Sequence, residues 1–113
     1  MKEEIRRAVA FAVLAAEEGT TDCDIYSYDA DRRSKFTGNG SDFHDLDSGA
    51  HIRRHGPDLY HYGLWQHVQL TVNEESFSGY DHGSNCHFEG VVNGATVQLY
   101  DHGESRYFEY AAT

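Results

Sequence analysis

The spacing of hydrophobic positions changes once along this chain. From Lys2 to Glu18 they recur at helical intervals: Ile5, Ala8, Val9, Ala12 and Ala15 form one stripe, and Phe11, Val13 and Leu14 widen it. Glu3 and Glu4 fall in the first turn, no Gly or Pro interrupts the run, and Gly19 stands where a C-cap belongs, which predicts a helix over 2–18 within an N-terminal segment 1–19. So wide an apolar surface has to be covered, either by a sheet or by a second subunit. A homodimer paired through this helix is therefore one expectation.

Beyond Gly19 the period falls to two. "DIYSYD" and "SKFTG" predict a hairpin within 24–38. Residues 39–58, dense in Gly, Asp and His, read as a long loop. "LYHYGLWQHVQLTV" at 59–72 reads as one bent strand, with Gly63 at the bend, Val68, Leu70 and Val72 on one face and His67, Gln69 and Thr71 on the other. Antiparallel strands continue from there to residue 113.

The C-terminal third predicts its own register. Asn93-Gly94 signals a two-residue turn, which sets Phe88 opposite Leu99 and His87 opposite Tyr100. A four-residue loop from His102 to Ser105 then sets Tyr100 opposite Tyr107 and Leu99 opposite Phe108. "YDHGSNCHFEG" at 80–90 and "YDHGESRYFEY" at 100–110 share six of eleven residues, so the same loop in the earlier copy sets Tyr80 beside His87. Asp81 and Asp101 fall at hairpin ends, where an Asp beside a Gly-containing turn accepts backbone N–H groups. The weaker copy "YDADRRSKFTG" at 28–38 keeps Tyr, Asp, Phe and Gly but not His.

With 113 residues the chain fits one domain, and the pattern predicts an α+β fold: one helix against a mainly antiparallel sheet of five to seven strands ending in a meander. Nineteen acids against nine bases make a net charge of −10, which repels phosphates and anionic lipid, so neither direct nucleic-acid nor membrane binding is expected. No run is long and apolar enough to span a bilayer and no signal peptide is recognisable, which suggests a cytoplasmic protein. Two cysteines, Cys23 and Cys86, form no disulfide framework.

Candidate chemistry gathers on the outward face of the predicted meander. The row Tyr80, His87, Tyr100 and Tyr107 is flanked by Glu89, Gln98 and Glu109, and Tyr supplies large contact area at small entropy loss. The leading expectation is a small non-enzymatic interaction or inhibitor protein that offers this face to a basic protein partner, as a nucleic-acid mimic would. The alternative is a small His-dependent enzyme, with or without metal assistance, using His87, Glu89 and Glu109, which needs the 39–58 loop as a lid to exclude water. A third reading is an oligomerising domain. No motif calls for a cofactor. A divalent metal, if bound, would draw on His51, His55, His61 and His67; Asp42, His44, Asp45 and Asp47 in "DFHDLDSG" do not match a Ca²⁺ loop.

Overall fold

Ten short alternating segments wrap into a closed barrel. The computed structural model describes all 113 residues, Met1 to Thr113. Helix α1 (Glu3–Glu18) precedes five hairpins: β1 (Cys23–Ser27) with β2 (Arg32–Gly38), and β3 (Asp42–Asp45) with β4 (Ala50–His55). Next come β5 (Asp58–His61) with β6 (Gln66–Asn73), β7 (Ser76–Asp81) with β8 (Cys86–Asn93), and β9 (Thr96–Asp101) with β10 (Arg106–Ala112). Each strand pairs antiparallel with its sequence neighbours, and β1 closes on β10 with Ile25 opposite Ala112 and Ser27 opposite Tyr110. A helix and an antiparallel sheet are present as expected, but the sheet has ten strands, not five to seven, and it has no free edge.

The helix runs through the barrel instead of lying on a sheet. It touches strands on different sides of the ring, β1, β6, β8, β9 and β10, and every residue from Ile5 to Leu14 is buried. Phe11 stacks on Phe36 with centroids 5.1 Å apart and tilts against Phe43 at 4.7 Å. A helix apolar on nearly all sides needs a wall on all sides, and the same chain supplies it. The expected homodimer through this helix therefore loses its surface. Gly19, with φ 68°, ends the helix as predicted: its N–H donates to the Ala15 carbonyl and the next N–H, of Thr20, to the Leu14 carbonyl.

The five hairpins repeat one turn. The last inward residue of the first strand is Ser27, Asp45, His61, Asp81 or Asp101, and all five are buried. Each accepts N–H bonds from the loop: Ala30 to Ser27, Asp47 and Ser48 to Asp45, Leu64 to His61 Nδ1, Gly83 to Asp81, and Gly103 and Glu104 to Asp101. Four residues past the cap the chain takes positive φ, at Asp31, Gly49, Trp65, Asn85 and Ser105. The Asp of the repeated Asp-His-Gly is thus a turn cap.

The segment 39–58, read from its composition as a loop, is barrel wall: it contains β3 and β4 and the start of β5. Likewise 59–72 is not one bent strand, because Tyr62 to Trp65 form the third turn and split it into β5 and β6. Between β8 and β9 the register differs by two from the prediction: Val92 faces Val97, Glu89 faces Tyr100 and Phe88 faces Asp101. The central turn residues are Gly94 and Ala95, and only Gly94 has positive φ, at 62°. That is the type II′ pattern with Gly first, whereas a turn centred on Asn93-Gly94 would need positive φ at both. A slip of two preserves which face each side chain occupies. The predicted pairs of β9 with β10 and of Tyr80 with His87 stand as read.

At the end where the helix enters, charge meets charge inside the wall. Arg7 Nε donates to Asp45 Oδ2 at 2.7 Å, and Arg6 Nη1 and the Met1 ammonium lie 3.2 and 3.0 Å from Asp101 Oδ2. Tyr110 and Ser27 both donate to Glu3, at 2.8 and 2.7 Å. Burial, with the nearby Glu3, pushes the Tyr110 phenol far above its ordinary range, so it acts as a donor throughout the physiological range.

Candidate functional site

Strand alternation turns the outward side chains at this end into a girdle of histidine and tyrosine. Within each hairpin one outward pair faces across the strands: Tyr26 and Arg33, His44 and His51, Tyr60 and His67, Tyr80 and His87, Tyr100 and Tyr107. Neighbouring hairpins are displaced along the strands, so rings in one turn reach the pair next door. His51 stacks on Tyr62 at 5.4 Å, and His67 stacks on His82 at 4.9 Å with ring planes 12° apart. Edge contacts at 4.8 Å join Tyr80 to His87, Tyr100 to His102 and Tyr100 to Tyr107. These rings hold one another in place, which limits the entropy lost when something packs on them.

The binding residues read from the sequence do share this outer wall, over β7 to β10. The slip of two changes their order: Tyr100 lies opposite Glu89, and His102, not Tyr100, comes beside His87 through the bond from its N–H to the His87 carbonyl. His102 Nε2 lies 3.6 Å from a Glu89 carboxylate oxygen. Gln98 faces Glu109 on β10 and Val91 on β8. An open groove runs along this wall past Thr71, Ser78, Glu89, Gln98, Tyr100 and Tyr107. Tyr107 is 66% exposed.

The catalytic trio of the enzyme reading is spread across three strands. His87 and Glu89 are successive outward residues of β8, and Glu109 lies on β10 with β9 between. The lid required to enclose them does not exist as such, since 39–58 builds β3 and β4 on another part of the ring.

The four histidines considered for a metal do not assemble. His51 points out from β4, His55 lies at its far end, His61 points inward and is 1% exposed, and His67 belongs to the stack with His82. His51 instead meets Asp42 and His44, whose ligand-capable atoms and its own all lie within 4.8 Å of one another. Reading 39–58 as a loop hid this group; Asp42 and His44 at i, i+2 of a strand would have revealed it. The thiols of Cys23 and Cys86 are free, and burial together with Asp24 and Asp22 pushes Cys23 up to about 11, away from the reactive thiolate.

A closed antiparallel barrel threaded by its own N-terminal helix is thus the class of fold, with a girdle of rings as its most distinctive surface. No family model, no curated protein and no solved structure matches this chain. No helix is long and apolar enough to cross a membrane.

Proposed function

We propose that the protein is a small acidic interaction module, acting in the cytoplasm, whose β7–β10 wall binds a basic protein surface. The observation that supports this reading is the grouping of Tyr80, Tyr100 and Tyr107 with Glu89 and Glu109 on one outer wall. The barrel has no free strand edge, so a partner engages side chains rather than adding a strand. The interior is filled by Phe11, Phe36, Phe43, Leu70, Leu99 and their neighbours, which leaves the outer wall as the surface for recognition. Tyrosines already packed on neighbours give contact area with little ordering, while the net charge of −10 speeds encounter with a cationic partner.

The test begins with partners that co-purify with the native protein, whose affinities are then measured against variants. Tyr100→Ala should weaken a genuine partner by about 1–3 kcal/mol, in the range of interface anchors. Glu89→Gln with Glu109→Gln should slow association and flatten its salt dependence. If every partner's affinity and association rate are unchanged in both variants, this wall is not the interface.

A further inference from the structure

We infer that Asp42, His44 and His51 form a binding site for a divalent transition-metal ion, of the kind that takes imidazole and carboxylate together: Zn²⁺ first, with Co²⁺, Ni²⁺ and Cu²⁺ as its analogues. The site stands on β3 and β4, so it does not rest on the β7–β10 binding reading.

Three features of the second hairpin carry it. Asp42 and His44 are alternate residues of β3 and point outward together, and His51 is the direct cross-strand partner of His44. The two imidazoles lie nearly parallel, centroids 4.4 Å apart and planes 12° apart, which brings both rings to one spot on the wall. His51 Nε2 is 2.5 Å from Asp42 Oδ1, so nitrogen and carboxylate already converge. The other carboxylate oxygen, Oδ2, faces the Arg53 guanidinium at 3.9 Å, which orients Asp42 with Oδ1 toward the rings. Metal–ligand bonds of about 2.0–2.2 Å set neighbouring donors about 3–3.5 Å apart, so an ion entering between His51 and Asp42 would part them slightly, an adjustment open to side-chain rotation alone because four cross-strand pairs from Asp42·Arg53 to Asp45·Ala50 fix the backbone. Two nitrogens and one oxygen suit borderline transition ions, whereas Mg²⁺ and Ca²⁺ prefer oxygen sets. A three-residue set on an exposed wall also leaves coordination positions for water or for a ligand atom from outside.

The barrel supplies its own controls. The same three positions hold Asp24, Tyr26 and Arg33 in the first hairpin, Ser78, Tyr80 and His87 in the fourth, and Gln98, Tyr100 and Tyr107 in the fifth. The third hairpin comes nearest: His67 Nε2 lies 3.0 Å from Asp58 Oδ1, but Tyr60 stands where His44 does. Only the second hairpin has an imidazole or carboxylate at every one of the three positions.

The experiment is Zn²⁺ titration by calorimetry on chain without a His tag, with Co²⁺ absorption as a second readout. The native chain should bind one equivalent, and His44→Tyr, which copies the third hairpin, should weaken binding by about a hundredfold or more, since even partners behind a ligand cost about 10- to 100-fold. Tyr60→His should add a second equivalent. If His44→Tyr binds Zn²⁺ as the native chain does, or if binding is lost instead on changing His67 and His82 to Ala, the site is overturned. Should His44→Tyr lose its native circular dichroism, the native chain still decides: Zn²⁺ must shift the ring resonances of His44 and His51, and shifts confined to other histidines reject the site.

Discussion

Arg7, on the helix inside the barrel, places its Nε 2.7 Å from the Asp45 carboxylate at the end of β3, with the two side chains 6% and 0% exposed. This pair links helix to wall, and Asp45 at the same time accepts the turn N–H groups of Asp47 and Ser48. Taking away one charge leaves the other buried without its partner, so Arg7→Met should destabilise the protein by about 3–5 kcal/mol in urea unfolding. Adding Asp45→Asn, which keeps the acceptor for the turn, should recover much of that loss. If Asp45→Asn instead costs as much in the Arg7→Met background as it does in the native chain, the pair is not coupled.

Gly79 faces Phe88 across β7 and β8, and Phe77 faces Gly90. A Cβ at Gly90 would sit 2.0 Å from the Gln98 carbonyl oxygen and 2.6 Å from Phe77 Cζ; at Gly79 it would meet Gln69 oxygen at 2.0 Å and Phe88 Cζ at 2.5 Å. Each ring covers the glycine opposite it. Gly79→Ala and Gly90→Ala should each cost about 1–3 kcal/mol by overpacking, whereas Ser78→Ala, on the outer face between them, should stay within about 0.5 kcal/mol. Thermal melts of the three variants give the comparison.

Glu74 holds φ 57° at the first central position of the turn from β6 to β7, the position that Gly94 holds between β8 and β9. A side chain in this region crowds its own backbone, and glycine does not. Glu74→Gly should therefore stabilise the barrel by about 0.5–1 kcal/mol, the relief of strain exceeding the added freedom of the unfolded chain. A lower urea midpoint in the variant would contradict this.

His61 takes the place that aspartates hold in three other turns, and its Nδ1 accepts the Leu64 N–H at 3.1 Å. Burial keeps its pKa below the ordinary 6.5, against the pull of Asp45 and Glu4. Above that ordinary value the imidazole is neutral whether the chain is folded or not, and it adds no pH dependence. As pH falls through about 6.5 the unfolded chain takes the proton first, so stability drops until the folded pKa is reached. His61→Asn keeps a cap acceptor and should lose less melting temperature between pH 7.5 and 5.5 than the native chain. Parallel losses in the two proteins would assign the acid sensitivity elsewhere.

Parts of this arrangement were legible residue by residue. The helix and its Gly19 cap follow from 3.6-residue periodicity, and the outward placement of Tyr80, His87, Glu89, Tyr100 and Tyr107 follows from alternation, which survives a register slip of two. The second hairpin was hidden for a physical reason. Its inward positions include Asp45 and Ala50, and β3 is only four residues long, so no hydrophobic alternation marks it. Asp45 can point inward because Arg7 awaits it there, and that partner lies 38 residues away in the chain.

Local spacing thus determines which residues form helix, strand and turn, and which side of each strand a residue occupies, because these depend on neighbours within a few positions. Closure of the barrel depends on Ile25 to Ser27 meeting Tyr110 to Ala112, and passage of the helix through it depends on enclosing Ile5 to Leu14 on every side. The grouping of Asp42, His44 and His51 likewise needs the β3–β4 pairing, not the chain alone. Such contacts are set by burial and pairing between distant segments, which only the tertiary structure decides.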